Sequence, residues 1–166
     1  MPENETLTVV IGASGGIGAA LAAELSRSSP LRRVVGLSRR PAPPMKHLLP
    51  LLLRDGRSVF ATLSAKVGSI GDNRLGGWYA YRASKAALNQ LVRTASIELR
   101  RRCPEAVCVA LHPGTVDTPL SAPFGKAGLE VRPAAEAARL LVGVLETLQP
   151  AQSGGFFDYR GQALPW

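Results

Sequence analysis

The stretch Leu7 to Pro30, LTVVIGASGGIGAALAAELSRSSP, decides the fold. Leu7 to Ile11 is a short apolar run that stops at glycine, which suits a strand buried on both faces, as in a parallel sheet. The Ala/Leu-rich segment after the glycines reads as a helix down to Pro30, where a helix cannot continue. Between the two lies Gly12-Ala13-Ser14-Gly15-Gly16-Ile17-Gly18, with the spacing G-x-x-x-G-x-G. Glycines let the chain turn tightly and let a pyrophosphate approach the backbone, while a helix N-terminus offers free N–H groups and partial positive charge. A glycine-rich turn alone is often only a turn. Its place between a first strand and a first helix is what points to a nucleotide.

The pattern continues down the chain. Arg33 to Leu37 reads as a second strand, Met45 to Leu53 as a helix and Arg57 to Ser64 as a third strand. From Tyr81 to Arg102, Leu88, Leu91, Val92, Ala95 and Leu99 recur at helical spacing, with three arginines and then Pro104 at the end. Ala106 to Leu111 reads as a fourth strand. Pro133 to Leu148 reads as a helix with Pro133 in its first turn, and Gly155 to Tyr159 as a last strand. Strands alternating with helices define an α/β class with a Rossmann-like, doubly wound parallel sheet. The whole chain, 1–166, is expected to be one dinucleotide-binding domain.

Composition narrows the function. Hydrophobic residues make up 46% and charged residues 19%, so the chain can bury a core. The formal charge of +8 suits nucleic acid, a membrane surface or a phosphate-bearing cofactor. The basic residues occur in short clusters, and only 5% of residues are aromatic, so base stacking has little to work with and no nucleic-acid partner is expected. Cys103 and Cys108 read as free thiols of a reducing compartment. The start, Met-Pro-Glu-Asn-Glu, is acidic where a signal peptide is basic, and the Leu-rich stretch His47 to Leu53 is too short to span a bilayer. No membrane partner and a cytoplasmic location are expected. No metal-ligand spacing is present. His47 and His112 read as structural, and Asp72 and Asn73 as shaping the loop ahead of Tyr81. Trp78 and Tyr79 read equally as substrate contacts or as packing.

Tyr81-Arg82-Ala83-Ser84-Lys85 carries the chemistry. Residues four apart share a helix face. An ammonium beside a phenol favours phenolate and lowers the tyrosine pKa, so such a tyrosine exchanges protons with a carbonyl or alcohol oxygen near neutral pH. Spacing alone does not separate this from an ordinary exposed pair. The second strand ends in Ser38-Arg39-Arg40, where an acidic residue would suit a ribose hydroxyl and arginine suits a 2′-phosphate, so NADP(H) is expected over NAD(H).

Taken together, GASGGIG, YRASK and His112-Pro113-Gly114-Thr115-Val116-Asp117-Thr118 resemble the short-chain dehydrogenase/reductases in order and context. Val67 to Gln90 and the ending GGFFDYRGQALPW look like the C-factor and sniffer-like carbonyl reductase branch. The resemblance covers Leu7 to about Pro41 and Met45 to Trp166. It implies that Gly12, Ser14, Gly16, Ile17 and Gly18 cradle cofactor phosphates, in addition to Ser38 and Arg39 read above for the 2′-phosphate end. It implies Tyr81 as general acid or base, and Lys85 as holder of the nicotinamide ribose. Pro113, Gly114 and Thr118 would line the carboxamide. The family's substrate-polarising serine falls here on Ala65. Its flanking neighbours Ser64, first, and Ser69, second, are the substitutes expected.

The family also has two strands and two helices between its second strand and the helix that begins here near Met45, including a helix with a catalytic asparagine. Two such units need about 60 residues, and this chain offers Pro41-Ala42-Pro43-Pro44. A deletion junction near 41–45 is the reading, with a domain linker as the weaker one. Removing those strands leaves about five, in the order 2-1-3-4-5. Two functional readings follow. One is NADP(H)-dependent hydride transfer to a small carbonyl, or from an alcohol, with Tyr81 as proton donor, in a possible homo-oligomer. The alternative is a catalytically impaired remnant that acts as a cofactor- or protein-binding module, as in C-factor-like signalling.

Overall fold

The computed structural model describes residues 6–11, 16–28, 32–37, 49–52, 54–119, 121, 128 and 130–166. Two compact units emerge, one from Met1–Arg40 with Gly114–Gly143, the other from Pro41–Pro113 with Val144–Trp166.

In the first unit, β1 (Thr6–Ile11) pairs in parallel with β2 (Arg32–Leu37), Thr6 opposite Arg32 and Ile11 opposite Leu37. The connecting helix α1 (Gly16–Ser28) packs on both strands, burying Gly18, Leu21 and Leu25. The strand and the helix are those that the opening stretch predicts, and the glycine turn between them, residues 12–15, lies outside the described residues. Two short strands unforeseen in the sequence, β5 (Thr115–Asp117) and β6 (Val131–Pro133), form a further parallel pair. At three residues each they are too short for a period-2 pattern to show.

In the second unit, β3 (Val59–Leu63), β4 (Val107–His112) and β7 (Phe156–Asp158) form a parallel sheet in the order β3-β4-β7. β4 is central, and Val107 to Leu111 are buried. Helix α2 (Tyr79–Arg100) covers the sheet. Phe60, Val92, Ala95, Leu99, Cys103, Ala106, Cys108, Ala110 and Phe156 make one core cluster. Both cysteines are free and buried, and burial pushes the Cys108 thiol up to about 12, so it is inert at neutral pH. The expected run 2-1 is thus present as β2-β1, and the expected run 3-4-5, whose fifth strand was read at Gly155 to Tyr159, as β3-β4-β7.

Five details differ from expectation. Leu91 is 56% exposed, because Val92, Ala95 and Leu99 already define the buried stripe and Leu91 lies one residue off it. Helix α2 starts two residues early, after Trp78, whose φ of +47° turns the chain into the helix. The third strand is shorter than Arg57 to Ser64. Arg57 instead donates to the carbonyls of Leu145 and Leu148 at 2.5 and 3.3 Å, at the end of helix α3 (Ala134–Thr147). Pro133 closes β6, and α3 begins one residue later. Of the helix expected over Met45 to Leu53, Leu49–Leu51 form a single 3-10 turn, and residues 45–48 and 53 lie outside the described residues, as do Pro41 to Pro44. Among the described residues, no helix is long and apolar enough to cross a membrane.

Candidate active site

Tyr81 and Lys85 stand one turn apart near the start of α2. Lys85 Nζ lies 5.9 Å from the Tyr81 ring centroid and donates to the Leu63 carbonyl at 3.0 Å. Burial lowers the Lys85 pKa and raises that of Tyr81. The expected lowering of the tyrosine pKa is therefore corrected. Removing each group from water disfavours its charged form, and an ammonium held on a carbonyl 5.9 Å from the ring does not offset that. Tyr81 remains 44% exposed, so its phenol is open to a substrate.

Arg82 fixes the loop that leads into this helix. Its guanidinium donates to the carbonyls of Val67 (3.1 Å), Gly76 (2.9 Å) and Gly77 (3.0 Å), and lies 5.6 Å from the Trp78 ring centroid. Planar forked donors suit this use better than an ammonium would. Asn73 accepts from Gly76 N–H at 3.1 Å, and Asp72 pairs with Lys66 at 3.4 Å, so both shape the loop as expected. Tyr79 is 87% exposed and Trp78 55%, which leaves packing as no explanation for Tyr79. The chain end ties in as well. Gly71 N–H donates to the Trp166 carbonyl at 2.7 Å, and the Trp166 ring stacks on Phe156 with centroids 5.5 Å apart.

The serines are committed inside the protein. Ser64 is buried and its hydroxyl donates to Asn89 Oδ1 at 2.5 Å. Ser69 is buried and accepts from Asp72 N–H at 3.0 Å. Ala65 lies between them at the head of the 3-10 turn Lys66–Gly68, which has no side-chain cap. Nearby, His112 ends β4. Burial pushes its pKa down to about 4 against the opposing charge of Asp158, and its Nδ1 has no hydrogen-bond partner among the described residues.

Of the residues expected around a cofactor, Gly16, Ile17 and Gly18 open α1 in the first unit. Gly16 has φ +45°, and a Cβ there would lie 2.9 Å from Thr118 Cγ2. Thr118 itself follows β5, where its N–H donates to Ser121 Oγ at 3.1 Å and its Oγ1 accepts from Ser121 N–H at 3.3 Å. Gly114 takes φ +77°, which a side chain would resist. Pro113 is buried at the end of the β4 segment. Gly12, Ser14, Ser38, Arg39 and His47 lie outside the described residues.

Asn89 and the Leu63 carbonyl escaped the sequence reading. Asn89 had a signal, since it is a polar residue one turn beyond Lys85 on a face that continues as Val92 and Ala95. A backbone carbonyl has none.

No family model matches the chain. The chain is 42% identical over 120 residues to C-signal of Myxococcus xanthus, across 72% of this chain and 68% of that one. It is 37% identical over 116 residues to the 1-hydroxy-2-glutathionyl-2-methyl-3-butene dehydrogenase of Rhodococcus sp. (strain AD45), across 69% of this chain and 49% of that enzyme. It thus spans about half the length of the second. Among solved structures it is similar to carbonyl reductase Sniffer of D. melanogaster, with a TM-score of 0.76 at 20% identity over 99% of this chain and 100% of that one. It is also similar to the NADPH-bound carbonyl reductase from chicken fatty liver, with a TM-score of 0.70 at 21% identity over 98% and 99%. These two likenesses establish a Rossmann-type fold. With the C-signal match and the Tyr81–Lys85 helix, the chain belongs to the short-chain dehydrogenase/reductase family, on the C-signal branch.

Proposed function

We propose that the chain is an NADP(H)-dependent oxidoreductase that reduces a small carbonyl compound, with Tyr81 as proton donor. The observation that carries this is the pairing on α2 of a half-exposed phenol with an ammonium 5.9 Å from its ring. Tyr81, 44% exposed, is the more open of the pair and would hand a substrate oxygen its proton. Lys85, held on the Leu63 carbonyl, keeps an ammonium one helical turn from Tyr81, 5.9 Å from its ring centroid.

The described residues of the first unit fit a nicotinamide dinucleotide. Gly16 leaves open, at the start of α1, a space that a Cβ would fill against Thr118. By residue type and family resemblance, Gly12, Ser14, Gly16, Ile17 and Gly18 are proposed for the cofactor phosphates, Pro113, Gly114 and Thr118 for the carboxamide, and Tyr81 and Lys85 for the nicotinamide ribose. Ser38 and Arg39 support NADP(H) over NAD(H) by the charge of a 2′-phosphate. The cofactor supplies the hydride. Similarity to an NADPH-bound carbonyl reductase supports the same reading. We place the protein in the cytoplasm as a single domain with a deletion junction near 41–45.

Specific observations favour the alternative of an impaired remnant acting as a binding module. Ala65 carries no hydroxyl, and the hydroxyls of Ser64 and Ser69 are engaged elsewhere. NADPH consumption with a panel of small aldehydes and ketones, compared between wild type and Tyr81→Phe, separates the two. Turnover lost in Tyr81→Phe supports the enzyme. Equal rates in both proteins would overturn it.

A further inference from the structure

We propose that Asn89 is the positioning residue of the Tyr81–Lys85 pair, acting through the Ser64 hydroxyl and the Leu63 carbonyl. The inference rests on the enzymatic reading for its purpose and on geometry for its content. Ser64 N–H donates to the Leu111 carbonyl at 2.8 Å, so Ser64 directs its backbone groups toward β4. Backbone direction alternates along a strand. The groups of Leu63 therefore point to the opposite edge of β3, away from β4. That outward carbonyl is the one Lys85 Nζ takes, at 3.0 Å. Where the ammonium sits thus depends on where the last residues of β3 sit.

Asn89 determines that position from the helix side. It is 3% exposed and lies one turn beyond Lys85 on α2. Its Oδ1 accepts from Ser64 Oγ at 2.5 Å, and its Nδ2 donates to the Gly68 carbonyl at 3.3 Å. One amide therefore holds both the end of β3 and the end of the Lys66–Gly68 turn against the helix that carries Tyr81 and Lys85. Ser64 is in consequence a strut between β4 and α2, and its hydroxyl belongs to this network instead of to a substrate. A buried amide with acceptor and donor both used is rigid, because any other arrangement strands a polar group out of water.

The test reads Lys85 directly. The chain has four lysines, Lys46, Lys66, Lys85 and Lys126. Reductive 13C-methylation, with Lys85→Arg to assign the signal, gives a titratable resonance for Lys85 that needs no turnover. Ser64→Ala and Asn89→Ala are expected to move this resonance and to shift its titration midpoint upward, as the freed ammonium reaches water. Ser153→Ala removes another buried hydroxyl of the same unit, which accepts from Cys108 N–H at 3.0 Å, and should leave the Lys85 signal in place. If Asn89→Ala does not fold, the milder Ser64→Ala decides. An unmoved Lys85 resonance in folded Ser64→Ala overturns the inference. In parallel, Ser64→Ala is expected to lower kcat about tenfold with KM little changed, since misplacing a catalytic group by a fraction of an ångström acts on the chemical step. A wild type that consumes no NADPH would sink the enzymatic reading, whereas the methyl-lysine titration would still judge the positioning network.

Discussion

Gly68 packs so closely on Lys85 that a Cβ on the glycine would lie 2.6 Å from the lysine Cβ and 2.8 Å from its carbonyl carbon. The 3-10 turn of Lys66–Gly68 therefore meets α2 backbone to backbone at the residue that carries the ammonium. Gly68→Ala must push the two apart, and backbone atoms do not yield as a flexible side chain does. The expected cost is about 3 kcal/mol, at the upper end for overpacking. Urea unfolding checks it, and a loss below 0.5 kcal/mol, roughly the range of neutral surface changes, would show that the contact relaxes freely.

Ala65→Ser should improve the protein twice over. Ala65 has the extended conformation of an N-cap, φ −147° and ψ 145°, yet caps nothing. A serine there can accept from the turn, worth about 0.5 kcal/mol or more. The same hydroxyl would supply the hydrogen bond to a substrate oxygen that Ser64 and Ser69 do not offer. Carbonyl turnover is expected to rise about tenfold, modest beside the usual value of one oxyanion donor. Steady-state kinetics with an unchanged kcat would argue against a substrate oxygen near this position.

His112 makes stability depend on pH. Its pKa falls from 6.5 to about 4 in the folded chain because burial disfavours the imidazolium. The unfolded chain takes up a proton below pH 6.5, whereas the native one resists until about 4. Stability from this group is thus intact above pH 6.5 and drains as pH falls toward 4, by about 3 kcal/mol in all. Unfolding free energies of wild type and His112→Gln, measured stepwise from pH 7.5 to 4, should diverge by that amount. Parallel curves would mean that His112 is solvated.

Thermal melts with NADPH and with NADH test the cofactor preference. A ligand that binds only the native chain raises its stability, by about 2.7 kcal/mol at one hundred times Kd. NADPH is expected to raise Tm more than NADH at equal concentration, and Arg39→Ala to shrink the difference. An equal shift with both cofactors would remove the argument from Ser38 and Arg39.

Much of this protein was legible in local pattern. The apolar run that begins at residue 7 and the Ala/Leu segment down to residue 28 dictate a strand and a helix because each is a choice among short-range conformations. The Tyr81–Lys85 spacing likewise puts both groups on one helix face whatever else the chain does. Their family context marked them as the candidate site. Tertiary structure decided what local pattern cannot carry. Leu91 and Val92 are neighbours of similar character, and only the position of the sheet sends one to solvent and the other to the core. Ser64 and Ser69 looked available because a sequence shows a hydroxyl but not its partner. Asn89, 25 residues from Ser64 in the chain, takes the first, and the Asp72 backbone takes the second. Lys85 read as a partner for the tyrosine and for a nicotinamide ribose, yet it rests on the Leu63 carbonyl, a group identical in every residue and visible only once the strand has an edge. Burial, likewise a property of the assembled chain, then reversed the expected direction of the Tyr81 pKa.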